Sequence, residues 1–449
     1  MLQASIILLI ASIWFPGAAR IGGTDGSISF LLALFCALLS FPSYGEAARR
    51  LHRTEAALAA ALLATAGLII VLSLLSMTYA DNPIRTGRAV FAQVFGFAII
   101  PAVAAISMRP KGSETIDRIV TAMIIMSFIT SCLVIVGLGG ARFADRAEGY
   151  FKHSNQLGIA LSAALPLIAA KLTVSRKYRI LLIGCLVAVL LGLVKSGSKT
   201  NFVVGVAGLG IFYVLYSIFL IKMKKNPVSV LVGIISAPVL FMASLRLLEH
   251  LNPRAYGLLF VQLSGGDTHS MISRQRLWSM SIDLGMAHPF LGVGAGQWIG
   301  DIAPHSHNLF IDYFRTLGVP GLALVTVIAL LVILYLASAV LHTLIGNDTS
   351  SSATKTNVMV LGASVSVLNY LVANQMSDSF GPSTAPFFWL PLALLMFYRG
   401  TQRLAQTERA NNTARYTGTA SPVFAHSGTE EERGPFPALA GLQSTISGG

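Results

Sequence analysis

Charged side chains are scarce in this sequence. Asp, Glu, Lys and Arg make up 11% of the 449 residues, against about 25% in soluble domains. Acidic residues are the scarcer kind, 19 against 32 Lys and Arg, leaving a formal net charge of +13. A chain of several soluble domains is excluded. Cysteine is almost absent. Cys36, Cys132 and Cys185 all lie in apolar stretches and none forms a Cys-x-x-Cys pair, which excludes a disulfide framework and a thiolate zinc site. No Lys/Arg tract is interleaved with aromatics, so the basic excess does not point to nucleic acid. No basic stretch precedes the first apolar run, which begins Met1-Leu2-Gln3-Ala4-Ser5. That run is expected to stay as a helix rather than be removed as a signal peptide.

What is abundant is apolar sequence, 54% of residues, with a mean hydropathy of +0.70. Apolar runs recur at residues 4–19, 28–41, 56–78, 88–107, 118–139, 157–172, 180–195, 201–221, 228–247, 317–343, 357–374 and 384–398. A helix rising about 1.5 Å per residue crosses a hydrocarbon core of roughly 30 Å in about 20 residues. The expected fold is therefore an all-α polytopic membrane protein of about twelve transmembrane helices. Two of the runs are short, so the number is open by one or two. Dense basic clusters follow the second, fourth, sixth and eighth runs, such as Arg176, Lys177 and Arg179, or Lys222, Lys224 and Lys225. Their alternation with sparser loops puts both termini in the cytoplasm. The transmembrane domain is expected over residues 1–400, and residues 401–449, rich in Ser, Thr, Gly and Pro, read as a disordered cytoplasmic tail.

One long loop, about 248–316 between the ninth and tenth runs, faces outward on this topology. Residues 273–286 have helical spacing and are expected to lie along the membrane surface. The glycines after Pro289 make a return that brings backbone close to another element. Their Gly-x-Gly-x-Gly pattern follows no strand and precedes no Walker lysine, so it is not read as a nucleotide site. His307 stands where a helix is about to enter the bilayer, and imidazole is the side chain suited to proton exchange near neutrality. It is the candidate base for a hydroxyl nucleophile; the alternative is an interfacial hydrogen-bonding role shared with His305. His305-x-His307 has no cysteine or carboxylate cluster beside it, so no metal or other cofactor is expected.

Cations also occur on the outward side, against the topological bias: Arg85 and Arg88, Lys152, Lys195 and Lys199, Arg274 and Arg276. Each alone reads as a snorkelling side chain. Together they can form a site for a strongly anionic group such as a diphosphate, with Arg as a forked donor and Lys as a point charge. Ser198, Thr200 and a helix N-terminus near Asn201 would add donors. A diphosphate is a good leaving group once its charge is held. A base beside such a clamp at the outer surface points to glycosyl transfer from a lipid diphosphate.

These residues resemble the O-antigen ligase and polysaccharide polymerase superfamily of bacterial inner membranes. His307, Asn308, Gly318 and Gly321 match its His-Asn, nine residues, then Gly-x-x-Gly. Ser198-Lys199-Thr200 matches its Ser-Arg/Lys-Thr/Gly start of a span. Arg276, Trp278, Pro289, Gly292 and Gly294 match an Arg followed by Trp or Leu and then Pro-x-x-Gly-x-Gly. The stretch Phe151 to Gly158 is similar to the family's aromatic-x-His/Pro-x-Asn-x-Leu-Gly segment. The resemblance covers about residues 50–400. It implies a metal-independent inverting transferase that takes oligosaccharide from undecaprenyl diphosphate on the periplasmic face and passes it to a glycan acceptor. It implies His307 as base and Arg276 and Lys199 as diphosphate ligands, with Arg85 and Arg88 as weaker counterparts. Arg274, Lys152 and Asn308 complete the expected substrate-binding set. Lipopolysaccharide ligases usually carry Arg where this chain has Lys199. Ser-Lys-Thr is more like the exopolysaccharide polymerases of the succinoglycan type, which favours polymerisation of repeat units over ligation to a lipid A core. A chain-length regulator is left open as a further partner. A transporter or flippase is the rival of another class, but it should place ionisable or Gly/Pro-broken residues at span centres. Centres such as 62–72, 183–193 and 325–335 are almost wholly apolar.

Overall fold

Hydrocarbon offers an unpaired peptide group no partner, so apolar runs of this length must close their hydrogen bonds internally as helices. The computed structural model of the protein describes residues 2–16, 31–32, 35–36, 38–39, 53–94, 112–143, 146–225, 227–346, 351–376 and 384–416. Among them the architecture is helical, with one two-stranded hairpin. The helices are α1 (Leu2–Trp14), α2 (Arg53–Leu75), α3 (Gly112–Ile135), α4 (Ser154–Val174), α5 (Arg179–Lys195), α6 (Lys199–Lys222), α7 (Pro227–Leu251), α8 (Pro253–Leu263), α9 (His269–Ala287), α10 (Leu309–Ile345), α11 (Ser351–Ala373) and α12 (Pro386–Tyr416). The hairpin pairs β1 (Gly140–Phe143) with β2 (Arg146–Gly149) in antiparallel register between α3 and α4. The chain forms a compact unit, Met1–Leu404, and a short terminal one, Ala405–Gly449.

The protein is an all-α polytopic membrane protein. Seven helices among the described residues are long and apolar enough to cross a membrane: α2 through its short continuation to Thr78, α3, α4, α6, α7, α10 and α11. The runs at 4–19, 180–195 and 384–398 also form helices, α1, α5 and the start of α12, of which α5 has 17 residues. Residues 83–94 are helical. The rest of the run at 88–107, much of the run at 28–41 and the tail beyond residue 416 lie outside the described residues. Apolar residues on the outer faces, such as Leu231, Ile234 and Val239 of α7, are exposed, as a lipid-facing surface requires.

At the centre stands α4, nearly every residue of which is buried. It packs on α5, α6 and α11. In lipid there is little hydrophobic drive between helices, so small side chains and interhelical hydrogen bonds hold them. Ser366 Oγ donates to Ala163 O (2.6 Å) and Asn369 Nδ2 to Ser162 O (2.9 Å), tying α11 to α4. The order of the helices then puts the α4 and α6 N-termini, the β hairpin, the α5 and α7 C-termini and the α10 N-terminus at one end of the bundle.

The opposite end carries Arg176, Lys177, Arg179 and the Lys222–Lys225 cluster, and it is closed by a buried polar network. Fully buried Glu55 accepts from Tyr335 Oη (3.3 Å) and pairs with Arg403 Nε (3.5 Å). Fully buried Arg399 bonds His342 Nδ1 (3.0 Å) and Gln402 Oε1 (3.1 Å). Glu55→Gln keeps the shape but removes the charge facing Arg403. Its expected cost is about 1–3 kcal/mol, read as a lower unfolding midpoint of the purified protein in detergent. An unchanged midpoint would mean the pair contributes nothing.

Candidate active site

The loop expected at 248–316 is mostly ordered into helices. Asn252 caps α8, its Oδ1 accepting from Ala255 N (3.0 Å), and Pro253 fills the first turn, where a missing N–H costs nothing. The helical spacing read at 273–286 becomes α9, which runs further, from His269 to Ala287. Its Leu277 packs with Ile299 and Ala303 in a small core of its own. The last part of the expected loop is also helical, because α10 begins at Leu309 and not near residue 317.

Pro289 to Gln297 forms a strap bound to the start of α10. Gly318, at φ +66°, interrupts that helix. Pro320, four residues after Thr316, has no N–H to donate back. The carbonyls left over by this break are taken by the strap: Val293 N donates to Arg315 O and Gly294 N to Thr316 O, both at 2.9 Å. In return Val319 N donates to Pro289 O (2.7 Å). A Cβ on Gly292 (φ +65°) would strike the Thr316 and Leu317 backbone, and one on Gly318 would strike Pro289 and Phe290. The close approach expected of these glycines is thus backbone on backbone.

His307 precedes the α10 cap with φ +57°, a left-handed conformation uncommon outside glycine and asparagine. Asn308 is the cap itself: its Oδ1 accepts from Phe310 N and Ile311 N, both 3.1 Å. Asp312 Oδ1 accepts from Ser306 N (3.1 Å) and from Arg315 Nη2 (2.8 Å). Arg315, 0% exposed, also donates to Gln297 O (2.6 Å) and Pro304 O (3.4 Å). One buried guanidinium therefore braces the strap and the segment on either side of the histidines. The His305 and His307 rings meet edge to face at 4.4 Å.

His307 lines two adjoining cavities. The larger, about 490 Å³, is also lined by Arg146, Lys199, Arg254, His269 and Arg274. No acidic residue lines it among the described residues. The Lys199 ammonium nitrogen is buried and makes no hydrogen bond among the described residues. Burial, and then the nearby Arg146 charge, pull the Arg274 guanidinium below its ordinary range. The α6 N-terminus adds Ser198 and Thr200, and the free amides of a helix start suit an anion. Asn155, at the start of α4, ties the wall together. Its Oδ1 accepts from Arg146 Nη2 (3.3 Å) and Ser198 Oγ (2.9 Å), and its carbonyl accepts from Asn201 Nδ2 (3.0 Å). The smaller cavity, about 310 Å³, adds Glu148, His153 and His305.

Of the residues expected from the sequence, the structure gathers Lys199, Arg274 and His307 into the larger cavity. The others are placed elsewhere. Arg276 is exposed and does not line it; two residues apart on a helix means about 200° of rotation, so Arg274 and Arg276 cannot face the same way. Arg85 stacks on the Trp298 ring at 4.5 Å, and Arg88 and Lys152 are exposed. Asn308 is occupied in capping. Arg146, Arg254 and His269 are the cavity residues that sequence reasoning missed. Arg146 and Arg254 met its own criterion of a cation on the outward side.

The site is thus a cation-lined cavity with a histidine in its wall, at one end of a helical membrane bundle. Residues 183–326, which include Lys199, Arg254, Arg274 and His307, match the family described as O-Antigen ligase. This match spans about a third of the chain and supports a relation to the O-antigen ligase and polymerase superfamily, whose members are enzymes of glycan ligation and polymerisation. No curated protein matches the chain.

Proposed function

We propose that the protein transfers an oligosaccharide from undecaprenyl diphosphate to a glycan hydroxyl at the extracytoplasmic face, extending a polysaccharide by repeat units. The observation that carries this reading is the buried Lys199 ammonium, unpartnered among the described residues, in a cavity without acidic lining that it shares with His307. Burying a charge without a partner is costly, and an anionic ligand removes that cost. The diphosphate is held by Lys199 and Arg274, with Arg146 and Arg254 beside them. The His307 imidazole accepts the proton from the acceptor hydroxyl, and the new bond forms between that oxygen and the anomeric carbon. The bond from the anomeric carbon to the diphosphate breaks, its electron pair leaving on the phosphate oxygen, where the cations stabilise it. Attack from the face opposite the leaving group inverts the anomeric centre, and no metal is required. The Ser198-Lys199-Thr200 segment supports polymerisation over ligation to a lipid A core.

The test is donor binding to the purified protein in nanodiscs. A charged hydrogen bond contributes about 1.5–3 kcal/mol, so Lys199→Gln is expected to weaken undecaprenyl-diphosphate binding roughly 10- to 100-fold. Arg274→Gln should weaken it more than Arg276→Gln does. Parental affinity in Lys199→Gln would remove the clamp from the reading.

A further inference from the structure

The two cavities that meet at His307 differ in chemistry. The larger has four cations and no acidic lining among the described residues. Among the described residues the smaller has one cation, Arg146, which both share, and adds a carboxylate, Glu148, with the imidazoles of His153 and His305. The register shifts beside Glu148, leaving it without a cross-strand partner, and both Arg146 and Glu148 line this cavity. A second diphosphate would be repelled by Glu148. A neutral polyol is not. Its hydroxyls can donate to a carboxylate oxygen or an imidazole nitrogen and accept from a guanidinium. Arg146, Asn155 and His307 form the wall common to both cavities.

We infer that the smaller cavity is the acceptor subsite, in which Glu148 and His153 hold a terminal sugar of the acceptor glycan with one hydroxyl turned toward His307. This rests on the transfer reading above and divides the site in two. The leaving diphosphate stays on the Lys199 side and the incoming hydroxyl arrives from the Glu148 side. Inversion needs the two to reach the anomeric carbon from opposite faces, and His307 stands in the wall the cavities share. Glu148 and His153 set which sugar is accepted, and Lys199 does not.

Two probes separate the subsites on the intact protein in nanodiscs: undecaprenyl diphosphate, which carries no sugar, and the free repeat-unit oligosaccharide cleaved from the host's lipid-linked intermediate. Glu148→Gln and His153→Gln are each expected to weaken oligosaccharide binding by about tenfold while undecaprenyl diphosphate binds as in the parent, which also reports that the variants are folded. Lys199→Gln should do the reverse. The subsite assignment is overturned if the parent does not bind the oligosaccharide, if neither variant changes its affinity, or if Glu148→Gln weakens both probes alike. Should undecaprenyl diphosphate fail to bind the parent, the transfer reading itself fails and takes this one with it. Lipid binding that depends on Lys199, with oligosaccharide binding indifferent to Glu148 and His153, sinks only the subsite.

Discussion

His307→Ala is expected to lower the rate of glycan transfer by about 10²- to 10⁴-fold, the usual contribution of a positioned general base. Undecaprenyl-diphosphate affinity should change little, because Lys199 and Arg274 remain. The backbone here sets a condition on the experiment. His307 sits at φ +57°, and alanine carries the steric cost of that conformation without the imidazole. Asparagine tolerates it better than most residues. His307→Asn therefore separates the two effects: it keeps the turn before the α10 cap and removes the base. Equal loss in both variants assigns the effect to the imidazole. Near-parental turnover in His307→Asn would show that the proton goes elsewhere. The measurement is initial rate at saturating donor, with insertion and yield checked for each variant.

The second large effect is expected at Arg315, which lines neither cavity. Its guanidinium is fully buried and joins Gln297 O, Pro304 O and Asp312, the last only 14% exposed. Arg315→Met fills a similar volume but leaves the Asp312 carboxylate without its arginine. Breaking a buried pair from one side costs about 3–5 kcal/mol, read as a lower unfolding midpoint in detergent. Transfer should fall too, since the residues flanking His305 and His307 lose their brace. Removing both charges, Asp312→Asn with Arg315→Met, takes away the pair without stranding either member. Its stability loss should be smaller than the two single losses added together. Strict additivity, or a parental midpoint in Arg315→Met, would show that the pair does not hold this segment.

Several features of the site were legible because they are written locally. Gly318 and Gly321 stood out by their spacing from His307 and Asn308, although the helix break they make with Pro320 appeared only once α10 was seen to begin at Leu309. The spacing of Leu277, Trp278 and Leu284 announces α9. The placement of His307 before a helix start follows from the apolar run after it. Arg274 and Arg276 mark where this legibility stops. Both are cations of the same expected loop and the resemblance favoured Arg276, but the rotation of α9, set by Leu277 and Gly285 packing against neighbours, puts Arg274 at the cavity instead. Asn308 read as a ligand and is a cap, a distinction that depends on where α10 begins. Arg146 met the same criterion as the other expected outward cations and was passed over, while Glu148 gave no signal beyond an acidic residue in a short polar loop.

By itself the sequence determined the solvent this protein lives in, its helical build and the clusters of charge between its apolar runs. Hydropathy and loop cations act over a few turns of chain and need no knowledge of distant partners. Which charges share a cavity, which histidines stand in its wall and which neighbouring cavity gains a carboxylate were decided only by the tertiary structure. Those residues come from β2, the α4 and α6 N-termini, α8, α9 and the turn before α10, and only helix packing brings such separated segments to one place.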